Sequence, residues 1–103
     1  MKQPRTLFGR RLREARTILG ISQKAVGIAA GLDPATASAR MNQYEVGTHT
    51  PGFNTAARIA QVLGVPTAYF YAEQDDLASL ILRLGGLSKK RSQKLAVLID
   101  QWG

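Results

Sequence analysis

Glycine and proline interrupt this chain at intervals that leave room only for short elements. Gly20, Gly31, Gly47, Gly64 and the Gly85-Gly86 pair each stop a segment, and Pro34, Pro51 and Pro66 limit where a helix can resume. Between these breaks the apolar residues recur three and four positions apart. Nowhere do they alternate with polar residues over a useful length, so the segments read as helices and no strand is expected. Helices this short are marginal alone and must pack on one another. The chain has 103 residues, 45% of them apolar, enough for one compact domain with a modest core.

The first helix is expected from about Thr6 to Leu19, with Phe8, Leu12, Ala15 and Leu19 inward and Gly20 closing it. The second starts at Ser22, a good N-cap, and ends before Gly31, with Val26, Ala29 and Ala30 on its apolar face. Asp33-Pro34 reads as a helix start, so the third helix is placed from Pro34 to about Val46, stopped by Gly47. A fourth runs from Asn54 or Thr55 to Leu63, and a short helical turn covers Thr67–Tyr71. A fifth covers about Glu73–Leu84, with Leu77, Leu80, Ile81 and Leu84 on one face. Ser88 caps a final helix to about Gln101, whose Leu95, Leu98, Ile99 and Trp102 form an apolar stripe.

The composition narrows function. There is no cysteine, hence no disulfide, zinc finger or thiol nucleophile, and one histidine with seven scattered acids offers little for a metal site or an acid–base pair. No catalytic residue, metal or cofactor is expected, and no nucleophile–base pair or phosphate-cradling glycine loop suggests an enzyme. No apolar run approaches the ~18 residues of a membrane span. The N-terminal MKQPRTLFGRR lacks the apolar centre of a signal peptide. The expectation is a cytoplasmic protein with no membrane partner.

Fourteen Lys and Arg against seven Asp and Glu give a formal charge of +7, which points to a polyanion partner. Residues 1–58 hold nine of the basic residues and three of the acids. Arg10, Arg13 and Arg16 are spaced three apart on the first helix, as on a shared face. A charge run of this kind is either a solvated helix face or a surface that meets phosphates.

Two short helices joined through Gly31-Leu32-Asp33 form a helix–turn–helix over about residues 22–46. Ile21-Ser22-Gln23 opens the first, Ala30-Gly31-Leu32 closes it, Tyr44-Glu45-x-Gly47 and Pro51 follow, and Ala56 leads to Leu63-Gly64-Val65. In this wording and order, roughly Phe8 to Phe70 resembles the Cro/repressor-type helix–turn–helix family of bacterial and phage regulators. The resemblance implies a five-helix, all-α, repressor-like DNA-binding domain. It implies a sequence-specific transcriptional regulator, a repressor, that reads a short two-fold operator in double-stranded DNA as a homodimer. Here the stretch between the turn and Tyr44-Glu45 is about four residues longer than the family's. Either the third helix gains an N-terminal turn or a longer turn precedes it.

With Met41 inward, Ala37 and Tyr44 fall on the same stripe, and Thr36, Ala39 and Gln43 face out, flanked by Arg40 and Asn42. These five are the candidate base contacts, since Gln and Asn can pair with adenine and Arg with guanine. Ser38 lies nearer the inward edge, as a phosphate contact. The resemblance adds Arg10, Arg13 and Gln23 as phosphate contacts, with Ser22 at a helix start that favours an anion. It places Thr48 and His49 in a loop that touches the DNA backbone. An ordinary solvated polar face is the alternative for all of them. Gly27, where the family prefers a small residue, suggests close packing on the third helix.

Residues 1–72 are thus assigned to the DNA-binding domain and 73–103 to a helical extension with one helix beyond the five. The extension's Leu95, Leu98, Ile99 and Trp102 either pack on the same domain or form a dimer interface. The alternative for the whole chain is a protein-interaction module, such as an antitoxin-like adaptor, that keeps this fold without DNA readout.

Overall fold

A computed structural model describes residues 6–103. Helices α1 (Leu7–Leu19), α2 (Gln23–Ala29), α3 (Ala37–Val46) and α4 (Phe53–Leu63) are followed by a 3₁₀ turn (Thr67–Tyr71), then α5 (Asp75–Gly85) and α6 (Lys89–Trp102). No strand occurs among the described residues. Hydroxyl caps start three helices: Thr6 accepts from the Gly9 amide, Ser22 from Ala25 and Ser88 from Arg91.

The core gathers Phe8, Leu12 and Ala15 of α1, Val26 of α2, Met41 and Tyr44 of α3, Ala56, Ile59 and Leu63 of α4, and Tyr69 and Phe70 of the 3₁₀ turn. Phe8 and Phe70 meet with ring centroids 4.8 Å apart, which joins the start of the chain to the turn that closes the domain. The aromatic run divides, with Tyr69 and Phe70 buried and Tyr71 exposed.

Two glycines set how closely α3 approaches its neighbours. A Cβ on Gly27 would lie 3.0 Å from the Cβ of Ala37 and 3.0 Å from the Cγ of Met41. The close α2–α3 packing expected at Gly27 is therefore present. A Cβ on Gly9 would run into the backbone carbonyls of Tyr44 and Glu45, so α1 crosses the end of α3 with no room for a side chain.

The third helix starts at Ala37, three residues later than the sequence suggests. Asp33 does not cap a helix. Its Oδ1 accepts from the Ala35 amide at 2.9 Å and its carbonyl accepts from the Thr36 amide at 3.0 Å, closing a turn across residues 33–36. Burial decides the matter: Ala37 is fully enclosed against Gly27, and a helix beginning there puts Ala37, Met41 and Tyr44 on one inward stripe. The additional residues therefore lengthen the turn and not the helix. At the other elements the differences are small. The fourth helix opens at Phe53, and the fifth begins at Asp75, not Glu73.

The core continues past residue 72. Ala72 and Ala78 are buried in it, and Ile81 and Leu82 pack against it, so α5 is docked on the domain by one face. The last helix has no buried residue.

A polar knot holds the α5 end. Arg11 is buried and donates through Nε and Nη2 to the Ala72 carbonyl at 3.1 and 2.8 Å, and its Nη1 lies 3.0 Å from Asp75. Beside it the Tyr69 hydroxyl donates to Glu14 Oε2 at 3.1 Å. Burial, and then this hydrogen bond, push the Tyr69 phenol above its ordinary pKa. The fold thus favours the neutral phenol. Its contribution is complete below the ordinary tyrosine value of about 10 and is lost as pH rises through the higher folded value. Tyr69→Phe should cost ~1 kcal/mol near neutral pH. In urea titrations the gap between wild type and variant should close above pH ~10; a gap that stays constant to pH 11 would contradict this.

Candidate nucleic-acid interface

The position of α3 is set by an ion pair at its last turn. Arg16 of α1 meets Glu45 through two contacts, Nε to Oε2 at 2.7 Å and Nη2 to Oε1 at 3.0 Å, while its Nη1 donates to the Ile21 carbonyl at 2.9 Å. The Glu45 side chain is 3% exposed. Hydrogen bonding to Glu45 pushes the Arg16 pKa above its already high value. One guanidinium therefore fastens the end of α3, the end of α1 and the loop into α2.

With that stripe turned inward, Ser38, Ala39, Arg40 and Asn42 are exposed on the other side of α3 and Gln43 is half-buried. Thr36 is exposed but lies in the turn, one residue before the helix, with no side-chain cap bond. Gln23, at the first position of α2, donates through Nε2 to Asn42 Oδ1 at 3.3 Å. The two motif helices are thus tied by a side-chain bridge at the edge of the outward face, which leaves the Asn42 amide nitrogen available as a donor. Ser22 is occupied as the α2 cap.

An open cleft of ≈ 580 Å³ lies beside α3, lined by Arg40, Gln43, Tyr44, His49, Thr50, Pro51, Gly52 and Thr55. Three candidate residues meet there: Arg40, Gln43 and His49. The loop is held to α3 through the Gln43 carbonyl, which accepts from the Gly47 amide at 3.0 Å, the His49 amide at 3.3 Å and the Thr48 hydroxyl at 3.4 Å. Gly52 starts α4 with no side-chain cap on its first amides. Polar side chains and a helix start therefore surround a concavity of a kind that admits an anionic backbone.

The three arginines of α1 do not share one face. A three-residue step turns the helix by about 300°, so Arg10 and Arg16 are about 120° apart. Arg16 points into the Glu45 pair, and Arg10, half-exposed, lies 3.9 Å from Asp75 near the start of α5. Arg13 is exposed and falls about 40° from Gly9 and about 60° from Arg16, on the flank of α1 that leans toward α3. Arg13, Lys24 and Arg40 make no ion pair among the described residues. Leu95, Leu98, Ile99 and Trp102 are on α6 and take no part in this face.

Sequence reasoning missed three positioning residues: Glu45, Arg58 and Gly9. Arg58 donates through Nε to the Ala30 carbonyl at 2.9 Å and so braces the end of α2 from α4. The scarcity of acids was a usable signal. In the strongly basic stretch before residue 59 only Glu14, Asp33 and Glu45 are acidic, and each has an internal partner.

Comparison with known proteins gives the family and agrees with the fold. The profile of the helix-turn-helix domain family matches residues 7–69, and the chain belongs to that family. Its class is that of helix-turn-helix DNA-binding transcriptional regulators. The crystal structure of the transcriptional regulator BswR is 45% identical in sequence and superposes with a TM-score of 0.82 over 90% of this chain and 92% of its own. Coverage that wide takes in part of the α5–α6 extension as well as the motif. Uncharacterized HTH-type transcriptional regulators of Sinorhizobium medicae and Rhizobium meliloti are each 34% identical over 65 residues, 63% of this chain. The matched region spans 44% of the length of these curated relatives.

Glu45→Ala should remove the partner of a largely enclosed guanidinium and cost ~3 kcal/mol or more of folding stability, since breaking a buried pair leaves an uncompensated charge. Urea denaturation of the variant checks this, and a loss under ~1 kcal/mol, the range of a surface pair, would contradict it.

Proposed function

We propose that the chain is a repressor that reads a short two-fold operator as a homodimer, with α3 in the major groove. One observation carries this reading: α3 is pinned from behind by Arg16–Glu45 and close packing, yet it leaves Ser38, Ala39, Arg40, Asn42 and part of Gln43 facing outward. A helix held that way offers a short, low-profile face whose polar groups match base edges. Ala39 adds a methyl that can sit against thymine, and Thr36 borders the face from the turn.

In this reading Arg13, Gln23, Ser22, Ser38, Thr48 and His49 meet phosphates and Arg10 does so at the edge, which sets register without carrying sequence information. Repression then requires only occupancy, because a domain seated in the groove denies the same base pairs to other proteins. Residues 1–72 bind DNA and 73–103 serve assembly, and the protein works in the cytoplasm.

Selection of bound duplexes from a random pool should return a two-fold site with half-sites about one helical turn apart. Gln43→Ala and Arg40→Ala should each lose ~1–3 kcal/mol of discrimination at particular base positions. Recovery of no preferred sequence would overturn the proposal, and an unchanged preference in both variants would overturn the assigned face.

A further inference from the structure

The acids of the motif region have unequal surroundings. Glu14 accepts from the Tyr69 hydroxyl and lies 3.4 Å from Arg11, and Glu45 is held by Arg16. Asp33 meets no cation among the described residues. Its Oδ1 accepts from the Ala35 amide at 2.9 Å, while its Oδ2 accepts no hydrogen bond from them. Of the two acids between residues 15 and 72, Glu45 is buried and Asp33 is exposed.

This carboxylate sits at the end of α3 that leads into a groove. Asp33, Pro34, Ala35 and Thr36 are all exposed and run directly into Ala37, the first residue of α3. Their turn has a fixed shape. Pro34 locks its own φ, and the Asp33 carbonyl accepts from the Thr36 amide at 3.0 Å and the Thr36 hydroxyl at 3.5 Å. Leu32, just before the turn, packs against the core. Helices that read the major groove touch base edges with their N-terminal residues. The residues that lengthen this turn are therefore carried to the same base pairs or to those beside them.

A carboxylate offers acceptors only. Beside a phosphate it is repelled. Over guanine O6 and N7, or thymine O4, lone pairs face lone pairs. The donors in the major groove are the amino groups, N4 of cytosine and N6 of adenine. Adenine sets the acceptor N7 beside its amino group, whereas cytosine presents its donor alone. Asp33 thus weakens binding to DNA in general and recovers the loss only where an amino group lies opposite, so that it discriminates by repulsion as well as attraction.

We infer that Asp33 is a specificity determinant, its Oδ2 selecting a base with an exocyclic amino group, cytosine before adenine, at a position beside those read from α3. This rests on the groove-reading α3 proposed above and deepens it by adding a reader outside the helix.

Asp33→Asn tests this directly. Asparagine keeps the shape of the side chain and an Oδ1 for the Ala35 amide, so the turn is retained, but it puts an NH2 donor where Oδ2 accepted. The full chain and the variant are each used to select duplexes from a random pool. Wild type should prefer cytosine or adenine at one position of each half-site. In the variant that preference should fall by ~5-fold or more, with guanine or thymine gaining, since their edges accept. Ala37 and Gln43 are ~9 Å apart along the helix, and the turn lies beyond Ala37. The affected position should therefore differ from the one that Gln43→Ala relaxes. The urea midpoint should match wild type. A variant that binds every sequence more tightly with unchanged preference would overturn the inference and make Asp33 a solvated charge. Loss of preference at the Gln43 position as well would also overturn it, because the turn would then only support α3. A wild-type pool with no preferred sequence overturns the proposed function and this inference together, whereas a wild-type site that the variant reads unchanged overturns this inference alone.

Discussion

One carboxylate, almost excluded from water at the end of the third helix, determines how the outward face is presented. Burying the Glu45 carboxylate strips it of hydration, a cost that a partner must offset. Arg16 does so with two hydrogen bonds and uses its remaining nitrogen on the Ile21 carbonyl. The guanidinium is planar and its donors are fixed, so α1, α3 and the loop between α1 and α2 have one mutual arrangement. Gly9 presses the same two helices together where a methyl would collide with the backbone of Tyr44 and Glu45. Gly27 does the same for α2 against Ala37 and Met41. The fold is rigid where α3 faces its neighbours and open where α3 faces solvent.

The positive charge is divided by the same logic. Arg11, Arg16 and Arg58 each hold a backbone carbonyl at a helix end or loop: Ala72, Ile21 and Ala30. Helix C-termini leave carbonyls without partners, and arginine can satisfy one while its stem covers apolar surface. These three residues contribute to the net charge of +7 but are fasteners inside the domain. Among the described residues, the outward positive charge of the motif region rests on Arg13, Lys24 and Arg40, with Arg10 shared with Asp75.

Much of this was legible in the sequence because glycine, proline and hydroxyl caps are local signals. Ser22, Ser88, Gly20, Gly47 and Gly64 mark helix ends where the structure has them. The inward stripe of Ala37, Met41 and Tyr44 followed from helical spacing. What was not legible depended on contacts between distant segments. Asp33-Pro34 has the wording of a helix start, and only the packing of Ala37 on Gly27 makes it a turn. The spacing of Arg10, Arg13 and Arg16 suggested a common face. Their different fates depend on Asp75 and Glu45, which are 65 and 29 residues away in sequence from Arg10 and Arg16. Gly9 looked like a neutral helix residue until α3 was laid across it.

The central claim is that neighbouring arginines of α1 have separate tasks, Arg16 in holding α3 and Arg13 in meeting phosphate. The most direct measurement pairs urea denaturation with the salt dependence of DNA binding for Arg13→Ala and Arg16→Ala. Arg13→Ala should keep wild-type stability and reduce the slope of log K against log salt by ~0.9, the value of one lost phosphate contact. Arg16→Ala should lose ~3–5 kcal/mol of stability and, under conditions where it remains folded, keep the wild-type slope. The opposite pattern, with Arg16 changing the slope and Arg13 the stability, would contradict the account.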